Sequence, residues 1–209
     1  MRIALLLVGL ASALAIAALH SGRAEAKPAQ EFVVRADPRL CPSPLCGGYW
    51  IALANHKRTR CVDGLFRSRC YVAAAWPASR VIEDGALVRG GIAAKEHSGF
   101  GRLGILIATR VRSPKGATAS GSYYRLRDTG VRCVREPCFS IRASRLNTSS
   151  TALLSGVDLE PAGLELEEDM AIALARDGLF AVGRLVSTDD GGRVLRATRV
   201  YLTRARPRA

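Results

Sequence analysis

Cys133-Val134-Arg135-Glu136-Pro137-Cys138 has an earlier counterpart, Cys41-Pro42-Ser43-Pro44-Leu45-Cys46. Both are Cys-x4-Cys loops with an internal proline. An Asp stands shortly before each (Asp37, Asp128), and an apolar run ending in Asn follows each (Asn55, Asn147). The likeness extends outward. Tyr123-Tyr124-Arg125-Leu126 takes the place of Phe32-Val33-Val34-Arg35, and the Gly178–Gly183 stretch takes that of Gly85–Gly90. Ala108-Thr109-Arg110-Val111 returns as Ala197-Thr198-Arg199-Val200. Matched landmarks in one order mark an internal duplication.

The runs between landmarks are of strand type. Tyr49-Trp50-Ile51-Ala52-Leu53 and Tyr71-Val72-Ala73-Ala74-Ala75-Trp76 are aromatic and β-branched, and turn residues bound them. Gly90-Gly91 interrupts a further run and predicts a bulge. In Leu103–Arg112, alternation places Leu103, Ile105, Ile107, Thr109 and Val111 on one face, with Arg102, Arg110 and Arg112 on the other. Only the second copy carries the Gly163–Arg176 segment. Its acidic start and apolar continuation predict a short helix. The expected fold is all-β, with two tandem antiparallel, small barrel- or sandwich-like repeats of about five strands each and one short helix in the second. A five-stranded oligonucleotide/oligosaccharide-binding type of barrel and a fusion of both copies into one barrel are both open. The expected boundaries are 27–112 and 121–203 for the repeats, a Ser- and Gly-containing linker at 113–120, and a basic tail at 204–209.

Residues 1–26 read as a secretory signal peptide. Met1-Arg2 is followed by an apolar run from Ile3 to Leu19, and Ala24-Glu25-Ala26 fits a small-residue cleavage site. The expected location is secreted, periplasmic or at the cell surface, with no membrane span after cleavage. An even number of cysteines beyond such a segment implies disulfides. The repeat pairs each Cys-x4-Cys loop with itself, Cys41 with Cys46 and Cys133 with Cys138, which leaves Cys61 with Cys70. Zinc wants tighter Cys spacing or more imidazole than His56 and His97 supply, so no metal is expected.

The chain carries 31 Lys+Arg against 18 Asp+Glu, a net charge of +13. Removing Arg2, Arg23 and Glu25 with the leader leaves 29 against 17, or +12. A codon preference for Arg accounts for this without a ligand; an anionic partner accounts for it with one. Arg58, Arg60, Arg67 and Arg69 crowd one loop, and Arg142 and Arg145 lie on a strand. These six are the candidate contacts for an anionic polysaccharide or the cell envelope. Tyr49, Trp50, Tyr71 and Trp76 supply rings that either stack on sugars or pack the core. Nucleic acid is the less favoured partner. Arg135, inside the second Cys loop, could instead present a rigid segment to a trypsin-like protease, although the first loop has no Arg.

Nothing points to catalysis. There is no nucleophile elbow, phosphate loop or dinucleotide fingerprint. Glu83-Asp84 and Asp189-Asp190 read as turns, and Glu167-Glu168-Asp169 reads as a helix start. The expectation is a non-enzyme with no catalytic residue and no cofactor.

The leader, the Cys-x4-Cys loop, the Gly48-Tyr49-Trp50-Ile51 strand ending at Asn55, and Cys70-Tyr71-Val72…Trp76 together resemble a family of secreted bacterial proteins. That family is common in myxobacteria and their relatives, and it is described only as a domain of unknown function. The resemblance covers most of the mature chain. It implies export, disulfides and a β-repeat, and supplies no site residue.

Overall fold

The computed structural model describes residues 29–77 and 82–203. The leader and the basic tail of the sequence reading fall outside them. The described residues are all-β apart from one short α-helix and a single 3-10 turn. Its first half contains β1 (Gln30–Ala36), β2 (Tyr49–Leu53), a small hairpin of β3 (Thr59–Arg60) and β4 (Phe66–Arg67), β5 (Cys70–Val72), β6 (Ala74–Trp76), β7 (Leu87–His97) and β8 (Gly101–Gly116). The second half contains β9 (Ser122–Asp128), β10 (Ile141–Arg145), β11 (Thr151–Leu154), β12 (Gly156–Asp158), helix α1 (Glu168–Ala175), β13 (Leu179–Ser187) and β14 (Arg193–Thr203).

Both halves use the same neighbour order. The first runs β5-β2-β1-β7-β8, and β6 adds to β8 in parallel; the second runs β11-β10-β9-β13-β14, and β12 adds to β14 in parallel. One residue, Ala73 or Ser155, separates the short strands that reach opposite edges of each half. Those edge ladders are only three or four residue pairs long, so each module is a coiled, partly open sheet and not a closed barrel. Antiparallel pairing of β8 with β14 joins the modules into a single 12-stranded sheet.

The registers show how closely the halves correspond. Phe32 pairs with Leu53 and Val34 with Ile51; Tyr124 pairs with Arg145 and Leu126 with Ala143, every residue shifted by 92 positions. The sequence match is therefore one residue out, because Tyr123 takes the place of Glu31 and not of Phe32. The paired aromatics at Tyr123 and Tyr124 hid that step. The bulge at Gly90 is present, and Gly183 has its twin. In each, the partner strand holds one extra residue, Thr109 or Thr198. A Cβ at Gly90 would lie 2.0 Å from the Ile107 carbonyl oxygen, and one at Gly183 2.1 Å from that of Arg196.

That extra residue overturns the face read from alternation in β8. Gly104, Leu106 and Ala108 are the buried set, while Leu103, Ile105 and Ile107 are only half-buried. Thr109 then flips the parity, so that Val111 packs on the first core and Arg112 points to the other module, 2% exposed. An uninterrupted period-2 reading cannot see a bulge. The stretch expected as a linker also differs. Ser113–Gly116 continue β8 and pair with Arg199–Leu202, because the module junction is itself a ladder.

Three apolar clusters follow. The first module buries Phe32, Val34, Ile51, Val72, Val88 and Leu106 together with Cys61 and Cys70. The second buries Leu126, Ala143, Leu154, Leu179 and Leu195, with Met170 contributed by α1. Between them lie Ala54, Leu87, Leu146, Phe180, Val182 and Tyr201. The junction is also clasped by two asparagines in the left-handed region, Asn55 at φ 64° and Asn147 at φ 57°. Asn55 Oδ1 accepts from Tyr123 N–H at 2.8 Å, and its Nδ2 donates to the Tyr123 and Leu146 carbonyls at 2.8 and 3.0 Å. Asn147 reciprocates. Its Oδ1 accepts from Glu31 N–H at 2.9 Å, and its Nδ2 donates to the Glu31 and Ala54 carbonyls at 2.8 and 2.9 Å.

Candidate functional site

The loop between β2 and β5 is pinned by Cys61–Cys70, as the spacing predicts; Cys41–Cys46 and Cys133–Cys138 close the other two loops. Both sulfurs of the middle bridge are buried, and both sit near the Thr59 carbonyl, at 3.8 and 3.6 Å. Thr59 Oγ1 in turn accepts from Leu53 N–H at 2.8 Å. The hairpin is thus fixed from within, and its charged residues face outward.

It overhangs β1 and β7 and leaves an open groove of about 560 Å³. Arg58, Arg60, His56 and Phe66 line one wall; Gln30, Gly90, Gly91 and Ile92 line the other. On the far wall Gly90 is buried and Gly91 half-buried. Arg58 and Arg60 are exposed, and among the described residues neither has a carboxylate at ion-pair distance.

The other candidate arginines separate. Arg67 is taken by Asp63 at 2.6 Å. Arg69 leaves the groove and lies over the Trp50 ring, 5.0 Å from its centroid. Arg142 is exposed on β10 and Arg145 half-buried beside it, both in the second module, and Arg145 Nε is buried with no hydrogen-bond partner. Arg135 is exposed on the second Cys loop. The six candidate cations therefore form no single patch; two line the groove and a third flanks it.

Arg39 was not singled out from the sequence, yet it completes the flank. Its guanidinium lies 5.0 Å from the Trp50 centroid and 4.9 Å from that of Tyr71, and Trp50 and Tyr71 meet edge-on at 5.5 Å. Asp37 holds it: Arg39 Nε and Nη2 donate to the two carboxylate oxygens at 2.9 Å each, and Trp50 Nε1 donates to Oδ1 at 3.1 Å. The Arg39 hydrogen bonds hold the Asp37 carboxyl down to about 2. Asp128 has the same role before the second Cys loop. Arg132 donates to it at 2.7 and 3.0 Å and holds it down to about 2. The signal was visible in the sequence as an Asp followed two or four residues later by an Arg, ahead of each Cys loop.

The outer face of β2 and β5 thus displays a guanidinium–indole–guanidinium stack, and the adjoining hairpin displays two free guanidiniums above a groove. Such a surface offers cation–π and charge-assisted contacts to an anionic chain.

No curated protein and no solved structure matches the chain. The model of one family, described as "Domain of unknown function (DUF6748)", matches residues 30–205, which takes in both modules and the groove, and the chain belongs to that family.

Proposed function

We propose that the protein is a secreted, disulfide-stabilised, non-catalytic binding module, and that the groove beneath the Cys61–Cys70 hairpin takes an extended anionic polysaccharide of the cell envelope or its surroundings. The observation that carries the reading is the pair of uncompensated guanidiniums, Arg58 and Arg60, on the wall of an open groove with an exposed ring, Phe66. A buried bridge holds the hairpin rigid, which lowers the ordering cost of binding. Three disulfides suit an oxidising compartment. Partly open five-stranded barrels of the oligosaccharide-binding type use the outer face of their second and third strands, where Trp50 and Tyr71 stand here.

Titration against heparin and neutral dextran at several salt concentrations tests this. Binding to heparin alone, weakening steeply with salt, is expected. Equal binding to dextran, or binding indifferent to salt, counts against it.

A second reading has one observation behind it. Val134 is 102% exposed and Arg135 stands beside it on the Cys133–Cys138 loop, as a protease-inhibitory loop requires. Micromolar protein that leaves trypsin-like and chymotrypsin-like proteases fully active removes that reading.

A further inference from the structure

The two sides of the module junction are equivalent in backbone and opposite in chemistry. On one side Val33 and Val182 pack with Leu87, Tyr201 and Tyr123 in the junction core. The residues in register with these on the other side are Arg125, Arg89, Phe180, Arg112 and Glu31, at the same strand positions. An apolar solution to this junction therefore exists within the same molecule, and the equivalent positions opposite hold three arginines and a glutamate around Phe180.

These arginines are placed. Arg112 stacks on Phe180, 3.6 Å from the ring centroid, and its Nη1 donates to Glu31 Oε2 at 2.8 Å. Arg125 covers the same ring at 5.6 Å, and its Nε donates to the Asp177 carbonyl at 2.9 Å. Gly178 makes the room: a Cβ there would lie 2.8 Å from Arg125 Nε. Arg89 and Arg110 are direct cross-strand neighbours. Among the described residues neither has a carboxylate at ion-pair distance, since Glu31 is committed to Arg112.

A cleft of about 460 Å³ opens here. Arg89 and Arg125 line it together with Glu31, Ser144, Thr148 and Phe180. The crowding has an electrostatic cost. Arg125 is pushed below the usual guanidinium range, first by desolvation and then by Arg127, Arg89 and Arg110. Like charges brought together from three strands, offset at Arg125 in part by Asp177 and with Glu31 committed to Arg112, favour an anion that enters.

We propose that this cleft binds a tetrahedral oxyanion, a phosphate or sulfate group, between its lining residues Arg89 and Arg125, with Arg110 reaching in from beside Arg89. One guanidinium fork saturates the two oxygens of a carboxylate. Cations from β7, β8 and β9, brought together across the two modules, suit a group with three or more oxygens. The proposal is independent of the hairpin groove, which lies on the first module alone.

The test is thermal unfolding of the full chain in inorganic phosphate, sulfate, acetate and chloride at matched ionic strength. A saturable rise in Tm with phosphate and sulfate, above that in chloride, is expected. R89Q/R110Q replaces two exposed residues, so the fold persists; it should reduce anion affinity at least tenfold, whereas R58Q/R60Q should leave it unchanged. A titration with heparin at equal sulfate concentration, carried out in the R58Q/R60Q background so that the hairpin groove does not contribute, separates the sources. Tighter protection, lost in R89Q/R110Q, assigns the group to a polymer; protection no better than inorganic sulfate assigns a free ion. The same Tm in all salts, a rise that survives R89Q/R110Q, or acetate as effective as phosphate overturns the proposal.

Discussion

Replacing Asn55 by Ala removes one half of the junction clasp, and its cost can be worked from the bonds lost. Tyr123 N–H loses its acceptor at 2.8 Å and is left part-buried, which costs about 1–3 kcal/mol. The Leu146 carbonyl loses its donor at 3.0 Å, for roughly 1 kcal/mol. The Tyr123 carbonyl loses little, because Leu146 N–H still donates to it at 3.0 Å. Alanine must also hold φ near 64°, which costs about 1–2 kcal/mol more. The expected loss is about 3–6 kcal/mol, or about 6–24 °C in Tm for a chain of this size. Asn55→Gly accepts the dihedral and should recover about 1 kcal/mol of it, with the hydrogen bonds still absent. Urea unfolding with the disulfides intact measures both variants. The Asn55→Ala/Asn147→Ala double variant should cost less than the sum of the two, because both residues close one interface. A loss below about 1 kcal/mol for Asn55→Ala, or a glycine variant as stable as wild type, would refute the view that side chains clasp the modules.

Glu31→Gln should cost about 3–5 kcal/mol by leaving the Arg112 guanidinium buried and unpaired, whereas Glu31→Gln with Arg112→Met should return to within about 2 kcal/mol of wild type; chemical denaturation reads both, and equal losses would show that the pair is not coupled. The Asp37 clasp should respond to acid. Its folded pKa of about 2 lies below the ordinary 3.8, so its contribution is complete above 3.8 and is lost as pH falls through 2. Trp50 fluorescence in a Trp76→Phe background should therefore change with a midpoint near 2, and a midpoint near 3.8 would contradict the Arg39 contact. Gly90→Ala should destabilise by roughly 2 kcal/mol or more, since its Cβ would strike the Ile107 carbonyl, while Gly91→Ala, with open space around it, should cost less than about 1 kcal/mol in the same assay.

Much of the fold can be read from the Cys-x4-Cys pair. The three disulfides, the bulge at Gly90 and the helix around Met170 announce themselves locally, through spacing, glycine and charge order. What stays hidden is non-local. The parity switch at Thr109 depends on which residue of β7 it faces, so Arg112 reads as a solvent-side residue and is instead buried against Phe180. The junction ladder through Ser113–Gly116 is invisible because those residues carry turn-like composition. The candidate site was half legible. A disulfide-tied loop rich in Arg can be read directly, but Asp63 withdraws Arg67, and Trp50 draws Arg69 away from Arg58 and Arg60. Arg89, Arg110 and Arg125 come from three strands in two modules; register pairs the first two, and packing of the modules around Phe180 brings Arg125 to them.

The groove beneath the Cys61–Cys70 hairpin is tested most directly by the salt dependence of heparin affinity in wild type, R58Q/R60Q and R142Q. The expected result is a slope of log affinity against log salt that falls by about 2 in R58Q/R60Q, roughly one unit for each lost contact, and is unchanged in R142Q. An unchanged slope and affinity in R58Q/R60Q would contradict the assignment of the groove as the binding surface.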